Sequence, residues 1–322
     1  MRIGTLSVRP GQRRSGQLVL GHYPDGPIVA PLTVVRGKRP GKTLWIQGCL
    51  HGQEVGGTVG LIRFLERLDP ARIEGAVIAV KLANPLAFRG YARNTPIDGI
   101  NLNRVFPGDA AGYHSQQVAH ALMSTAIGHA DALVDLHSGG ESHIVPFYAL
   151  YRDDGSAASR EAGRLARAAA TADIWASRDA WLDGALLTHF TLRGKPAVIV
   201  ECGGGGGVSE QQVANFAGAL EGMARALGIL PGRPPRRARY RVMDQALLVY
   251  NRKGGLFRPA VEPGAVVRKG QALGAMLDFD GRVVETLVSP NGPAYVAALP
   301  RRYMALHSGA LIAETIRIVE GG

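Results

Sequence analysis

The sequence is poor in cysteine, lysine and aromatic residues, and it has no long apolar run. Two cysteines in 322 residues, Cys49 and Cys202, exclude a disulfide scaffold and a closed thiolate zinc knuckle, since neither belongs to a Cys-x-x-Cys pair. They read as buried thiols in a reducing compartment. Aromatic content is 6%, with no aromatic-basic interleaving of the kind that stacks nucleobases. No stretch approaches the ~18 apolar residues of a membrane span, and basic residues 1–14 lack the apolar core of a signal peptide. The expectation is a cytoplasmic protein with neither nucleic acid nor membrane as its partner.

Acidic residues are also scarce where basic ones gather. The chain carries a formal net charge of +11, but residues 1–42 hold only Asp25 against eight Arg or Lys, and residues 233–241 hold five Arg and no acid. The remainder is close to neutral. The basicity therefore belongs to an N-terminal segment and a linker rather than to one binding face, and its milder use is attraction of acidic substrates.

What the sequence does contain is an ordinary globular composition, 46% hydrophobic and 20% charged. The run Pro231-Gly232-Arg233-Pro234-Pro235-Arg236-Arg237 cannot continue a helix and is too polar for a core strand. It divides the chain into a region 1–232 and a region 241–322. In the first, helical patterns at about 54–68, 115–129, 157–170 and 209–228 alternate with apolar strands, which predicts a mixed or largely parallel α/β sheet flanked by helices. In the second, short β-branched runs between Gly and Pro predict a small all-β barrel or sandwich.

Three apolar strands deliver chemistry at their C-terminal ends. Leu44-Trp45-Ile46 leads into His51-Gly52-Gln53-Glu54, where imidazole and carboxylate three residues apart can aim at one point if Glu54 opens a helix. About one third of an accidental His-x-x-Glu is expected in a chain of this composition, so the pair needs company. Ala132-Leu133-Val134-Asp135-Leu136-His137 supplies a second His, with Asp135 placed to orient it. Ala197-Val198-Ile199-Val200 delivers Glu201 into the run Gly203 to Gly207. Ligands gather beyond the carboxyl ends of strands in open α/β sheets, so the three ends describe one pocket. A His, a Glu and a second His with one position left to water make a hydrolytic metal site. Between the first two strands, residues 84–108 form a turn-rich loop punctuated by Arg and Asn, residues that bind carboxylates.

In their order and spacing, His51-x-x-Glu54, Asn103-Arg104-x-Phe106 after an Asp-Gly, Asp135-x-His137 and Glu201-x-Gly203 resemble the succinylglutamate desuccinylase and aspartoacylase family, relatives of zinc carboxypeptidases. The resemblance spans roughly residues 40 to 230. It implies one Zn²⁺ per chain held by His51, Glu54 and His137, with Glu201 as general base and acid. It further implies that Arg93 polarises the scissile carbonyl, with Arg89 one turn away as the alternative, and that Asn103 and Arg104 hold the substrate carboxylate. The family's substrate-selecting residues do not align cleanly; Arg178, His189 and Arg193 are the candidates before Glu201.

The C-terminal pattern around Val261-Glu262-Pro263-Gly264 and Asp278-Phe279-Asp280-Gly281 resembles a biotinyl/lipoyl-type barrel. The cofactor-bearing lysine of such carriers is absent from the tip, and the whole chain has six lysines. That region is therefore read as a structural lid or an oligomer contact. The expected activity is zinc-dependent removal of an acyl group from an N-acyl amino acid or a related small carboxylated amide. The alternatives are a zinc carboxypeptidase acting on short peptides and a non-catalytic binding protein for acidic ligands.

Overall fold

The structure is a computed structural model that describes residues 1–320. After a short hairpin, Arg2–Ile3 with Leu6–Ser7, the first region contributes eight strands: β1 (Gln12–Tyr23), β2 (Gly26–Arg36), β3 (Arg39–Gly48), β4 (Glu74–Val80), β5 (Ala132–His137), β6 (His143–Arg152), β7 (Asp173–Ser177) and β8 (Ala197–Gly204). Its helices are α1 (Val55–Glu66), α2 (Pro85–Arg89), α3 (His114–His129), α4 (Ala157–Arg167), α5 (Leu186–Leu192) and α6 (Glu210–Ala226). The four helical patterns read from the sequence thus appear as α1, α3, α4 and α6, each within three residues at either end.

Strands β4, β3, β5 and β8 run parallel at the centre of the sheet. Antiparallel β2 and β1 extend it on one side, and β6, antiparallel to β8, on the other. The central strands are apolar on both faces because helices cover both. Side chains alternate across the pleat. Leu44, Ile46, Val134 and Val198 pack with Leu61 and Phe64 of α1, Leu165 of α4 and Phe216 of α6. Trp45, Leu133 and Ile199 face the other way, toward Val118 and Leu122 of α3 and Phe190 of α5.

Beyond the linker come β9 (Arg241–Tyr250), β10 (Gly255–Pro259), β11 (Val266–Val267), β12 (Ala272–Leu277), β13 (Val283–Val288), β14 (Ala294–Pro300), β15 (Ala305–Leu306) and β16 (Leu311–Glu320). This barrel-like region has its own core of Phe257, Leu273, Met276, Leu287 and Ile312. Its hydrogen bonding nevertheless continues the first region's sheet: β9 lies parallel to β7, β16 and β14 follow, and β14 also meets β6 at Leu299 and Ile144. The linker therefore does not part the chain cleanly: β9, β16, β14 and β11 join the first region's sheet, while β10, β12, β13 and β15 form a sheet of their own. This continuity carries one face of the C-terminal strands to the carboxyl ends of the parallel strands. Among the described residues, no helix is long and apolar enough to cross a membrane.

Helix α1 approaches its neighbours through glycines. A Cβ on Gly60 would stand 2.3 Å from Cβ of Phe216 on α6, so the close α1–α6 contact requires glycine there. Replacing Gly60 with Val should destabilise the protein by about 1–3 kcal/mol, the usual cost of forcing extra methyl groups into a packed core. Chemical denaturation measures this, and an unchanged midpoint would show that the helices separate freely.

Candidate active site

The turn that precedes α1 is built for close approach. A Cβ on Gly52 would lie 2.1 Å from the carbonyl carbon of Ala87, and the Glu54 N–H bonds back to the His51 carbonyl at 3.1 Å. Glu54 occupies the helix N-cap position, yet its side chain makes no capping bond. It turns inward instead, 1% exposed. The strand registers bring the other groups to it, since Gly48 pairs with Leu136 and His137 with Glu201.

His51 Nδ1 lies 2.8 Å from Glu54 Oε1, and His137 Nδ1 lies 2.9 Å from Glu54 Oε2. The Ser138 N–H donates to Oε2 at 3.1 Å, and Arg93 Nη1 donates to Oε1 at 2.9 Å. The far side of each imidazole is also held. Asn101 Oδ1, which accepts the Asn103 N–H at 2.9 Å, sits 3.0 Å from His51 Nε2, so that nitrogen is a donor. Asp135 Oδ2 lies 3.1 Å from His137 Nε2, as expected of a residue that orients the ring.

These contacts test whether a metal fits. Burial, reinforced by the nearby Arg93 charge, holds the His51 imidazole below its ordinary pKa, which favours the neutral ring. A neutral ring protonated on Nε2 turns the Nδ1 lone pair toward a carboxylate oxygen 2.8 Å away, an arrangement that calls for a cation or a proton between them. Burial alone would keep Glu54 protonated, but the two imidazoles outweigh it and hold its carboxyl well below the usual range. For His137, burial is outweighed by Asp135 and Glu54, which raise the ring well above its ordinary value. One ligand atom from each of His51, Glu54 and His137 lies within 4.8 Å of the others. The donor set, with His51 Nε2 tied outward to Asn101 and Asp135 Oδ2 3.1 Å from His137 Nε2, fits a divalent ion.

A cavity of about 320 Å³ opens beside this cluster, lined by His51, Glu54, Arg93, His137 and Glu201 among others. Glu201 sits where β8 bulges against β6, between Glu201 and Gly203, a distortion that re-aims side chains at functional sites. Its chain then doubles back through glycines. Gly204 has φ +113°, and a Cβ there would lie 2.3 Å from the His143 carbonyl oxygen. Glu201 Oε2 is buried with no hydrogen-bond partner. Burial pushes its carboxyl up to about 8, with Glu54 and Glu314 adding to the shift and His137 and Arg93 opposing it.

The remaining residues named from the sequence divide. Arg93 reaches the cavity and Arg89 does not line it. Asn103 and Arg104 do not line it either: Asn103 Oδ1 accepts the Leu186 N–H at 3.1 Å, and Arg104 donates to the Asn103 carbonyl and lies 5.0 Å from the Trp181 ring centroid. Burial lowers the Arg104 guanidinium, and the charges of Arg93 and Glu314 also reach it. Arg178 pairs with Asp153 at 2.8 Å, Arg193 bonds the His189 carbonyl, and none of Arg178, His189 and Arg193 lines the cavity. The sequence reading missed Asn101, Tyr148 and Glu314. Asn101 lies in the loop already singled out, but nothing in its spacing marks it as the partner of His51. Tyr148 becomes a neighbour of Glu201 only through the antiparallel register of β6 and β8, and Glu314 arrives from the far C-terminal strand. Cys49 and Cys202 are buried free thiols; burial raises both, Cys49 to about 11.

The succinylglutamate desuccinylase/aspartoacylase catalytic-domain family matches residues 40–227. The chain belongs to this family. It is 30% identical over 302 residues to an N-alpha-acetyl-L-2,4-diaminobutyric acid deacetylase of Halomonas elongata, covering 92% of this chain and 87% of that protein. Among solved structures, the product-bound ectoine utilization protein EutE (DoeB) of Ruegeria pomeroyi is 26% identical with a TM-score of 0.86, covering 97% of this chain and 98% of that one. A succinylglutamate desuccinylase/aspartoacylase of Rhodobacter sphaeroides is 25% identical with a TM-score of 0.85, covering 98% and 99%. The shared fold extends through the C-terminal strands, well past the matched catalytic domain.

Asn101 gives the test of the outer contacts. Asn101→Ala removes the acceptor that fixes His51 Nε2, and the affinity for added Zn²⁺ should fall about ten- to a hundredfold. Competition with a chromogenic chelator reads this, and unchanged affinity would mean that the His51 tautomer is set elsewhere.

Proposed function

We propose that the protein is a zinc-dependent amidohydrolase that removes an acyl group from an N-acyl amino acid or a related small carboxylated amide. The observation that carries the reading is the pairing, in strand register, of a metal-fitting His51, Glu54 and His137 set with Glu201, whose Oε2 is buried without a hydrogen-bond partner among the described residues. The names of the Halomonas and Ruegeria relatives support it, and the substrate of the former is the first compound to assay.

His51, Glu54 and His137 would hold the ion, which when bound supplies Lewis acidity at the reacting centre. The protein's own groups do the rest. Glu201 accepts a proton from the attacking water and passes it to the departing amine nitrogen, as its partnerless oxygen and an ionisation near neutrality allow. Arg93, half-exposed at the cavity wall, is the cation nearest the cluster and faces the charge that develops on the carbonyl oxygen. Arg104, close enough to Arg93 and Glu314 to feel their charges, together with Asn103 binds the substrate carboxylate. The cavity of about 320 Å³ lies at the small end of ligand pockets and suits an acyl amino acid.

Glu201→Gln keeps the shape and loses the base. The expected outcome is retained zinc with kcat for an N-acyl amino acid lowered at least about a hundredfold. Loss of zinc from this variant would make Glu201 a ligand and overturn the assignment, as would an unchanged rate.

A further inference from the structure

The cavity beside Glu201 is closed on one side by residues the catalytic strands do not supply. Ala298 of β14 with Leu311 and Glu314 of β16 line it, together with Val145 and Tyr148 of β6. Glu314 holds its place through the sheet, paired with Leu248 of β9 and Ala298 of β14. Glu314 is half-buried and lines the cavity. Among the described residues it makes no hydrogen bond and no ion pair; Arg93 and Arg104 act on it only through their charge, opposed by Asp179. The other two carboxylates of the cavity have work there: Glu54 joins the two imidazoles, and Glu201 stands beside His137. Glu314 has none.

A half-buried carboxylate with no hydrogen-bond or ion-pair partner is completed by a cation. From this position we infer that Glu314 is the specificity-determining residue of the site, pairing with a positively charged group on the substrate's amino-acid side chain. The inference rests on the deacylase reading above and narrows its substrate class to N-acyl amino acids bearing a side-chain ammonium. Such a molecule carries charges complementary to those of the site, an ammonium for Glu314, which lines the cavity, and a carboxylate for the arginines near it. The hydrophobic walls of Val145, Ala298 and Leu311 suit the short methylene stem between them.

Three N-acetyl amino acids of matched length test this on the zinc-loaded enzyme: 2,4-diaminobutyrate with an ammonium, norvaline with a methyl group and glutamate with a carboxylate. The unaltered enzyme should favour the ammonium substrate over the methyl one by about ten- to a hundredfold in kcat/KM, the worth of a charge-assisted contact. Glu314→Gln should remove most of that ratio, and Glu314→Lys should turn the preference toward N-acetylglutamate. Calorimetric binding of free 2,4-diaminobutyrate against norvaline should show the same loss in the Gln variant. Turnover of these compounds with a ratio that neither variant changes would overturn the role of Glu314 while leaving the deacylase reading intact. Loss of zinc from Glu314→Gln would make the residue part of the metal site's support and overturn it too. Failure of the unaltered enzyme to cleave any of the three would overturn the deacylase reading, and the inference with it.

Discussion

The carboxylate of Glu54, held between Nδ1 of His51 and Nδ1 of His137, is the contact on which the site is organised. Burying a carboxylate costs several kcal/mol unless partners meet it, and here four partners come from three separate places in the chain. His51 precedes α1, His137 and the Ser138 N–H end β5, and Arg93 projects from the loop after α2. A cluster of this kind cannot be loosened at one corner alone. Removing any member leaves a buried charge or lone pair facing another; Asn101 holds the far side of the His51 ring, and Asp135 lies 3.1 Å from that of His137.

The sheet supplies the precision. Parallel strands β3, β5 and β8 end at one level, so a register of one residue decides whether Glu201 stands beside His137 or points to the opposite face. The same sheet runs on through β7 and β9 to β16, which brings Glu314 to a cavity otherwise built from the first region. The C-terminal strands are therefore a wall of the site as well as a core of their own.

Much of this was legible in the amino-acid order. Strand ends are easy to read where apolar runs stop at a His or a Glu, so His51, Glu54, His137 and Glu201 could be placed in one pocket before any coordinates. The long helices were readable from their period to within three residues. Arg93 could be placed in the site's loop but not separated from Arg89, because which of two exposed arginines turns inward depends on the path of a loop that no periodicity governs. The barrel-like character of the C-terminal region followed from its Gly and Pro spacing. Its continuity with the main sheet did not, because pairings such as Arg241 with Asp173 join distant segments without a local signal. Residues that act through such pairings, Tyr148 and Glu314 among them, carry no motif. Arg178, His189 and Arg193 illustrate the reverse: basic side chains close to Glu201 in sequence, held by the fold outside the cavity.

The central claim is that His51, Glu54 and His137 form a metal centre on which activity depends. Elemental analysis of the purified protein, followed through chelation, readdition of Zn²⁺ and the His137→Ala variant, tests it most directly. A single zinc ion per chain is expected, with N-acyl amino acid hydrolysis lost on chelation and restored by Zn²⁺, and with the His137→Ala protein folded but unable to retain the ion. Full hydrolytic activity in protein free of transition metal, or normal zinc affinity in the His137→Ala variant, would contradict the account.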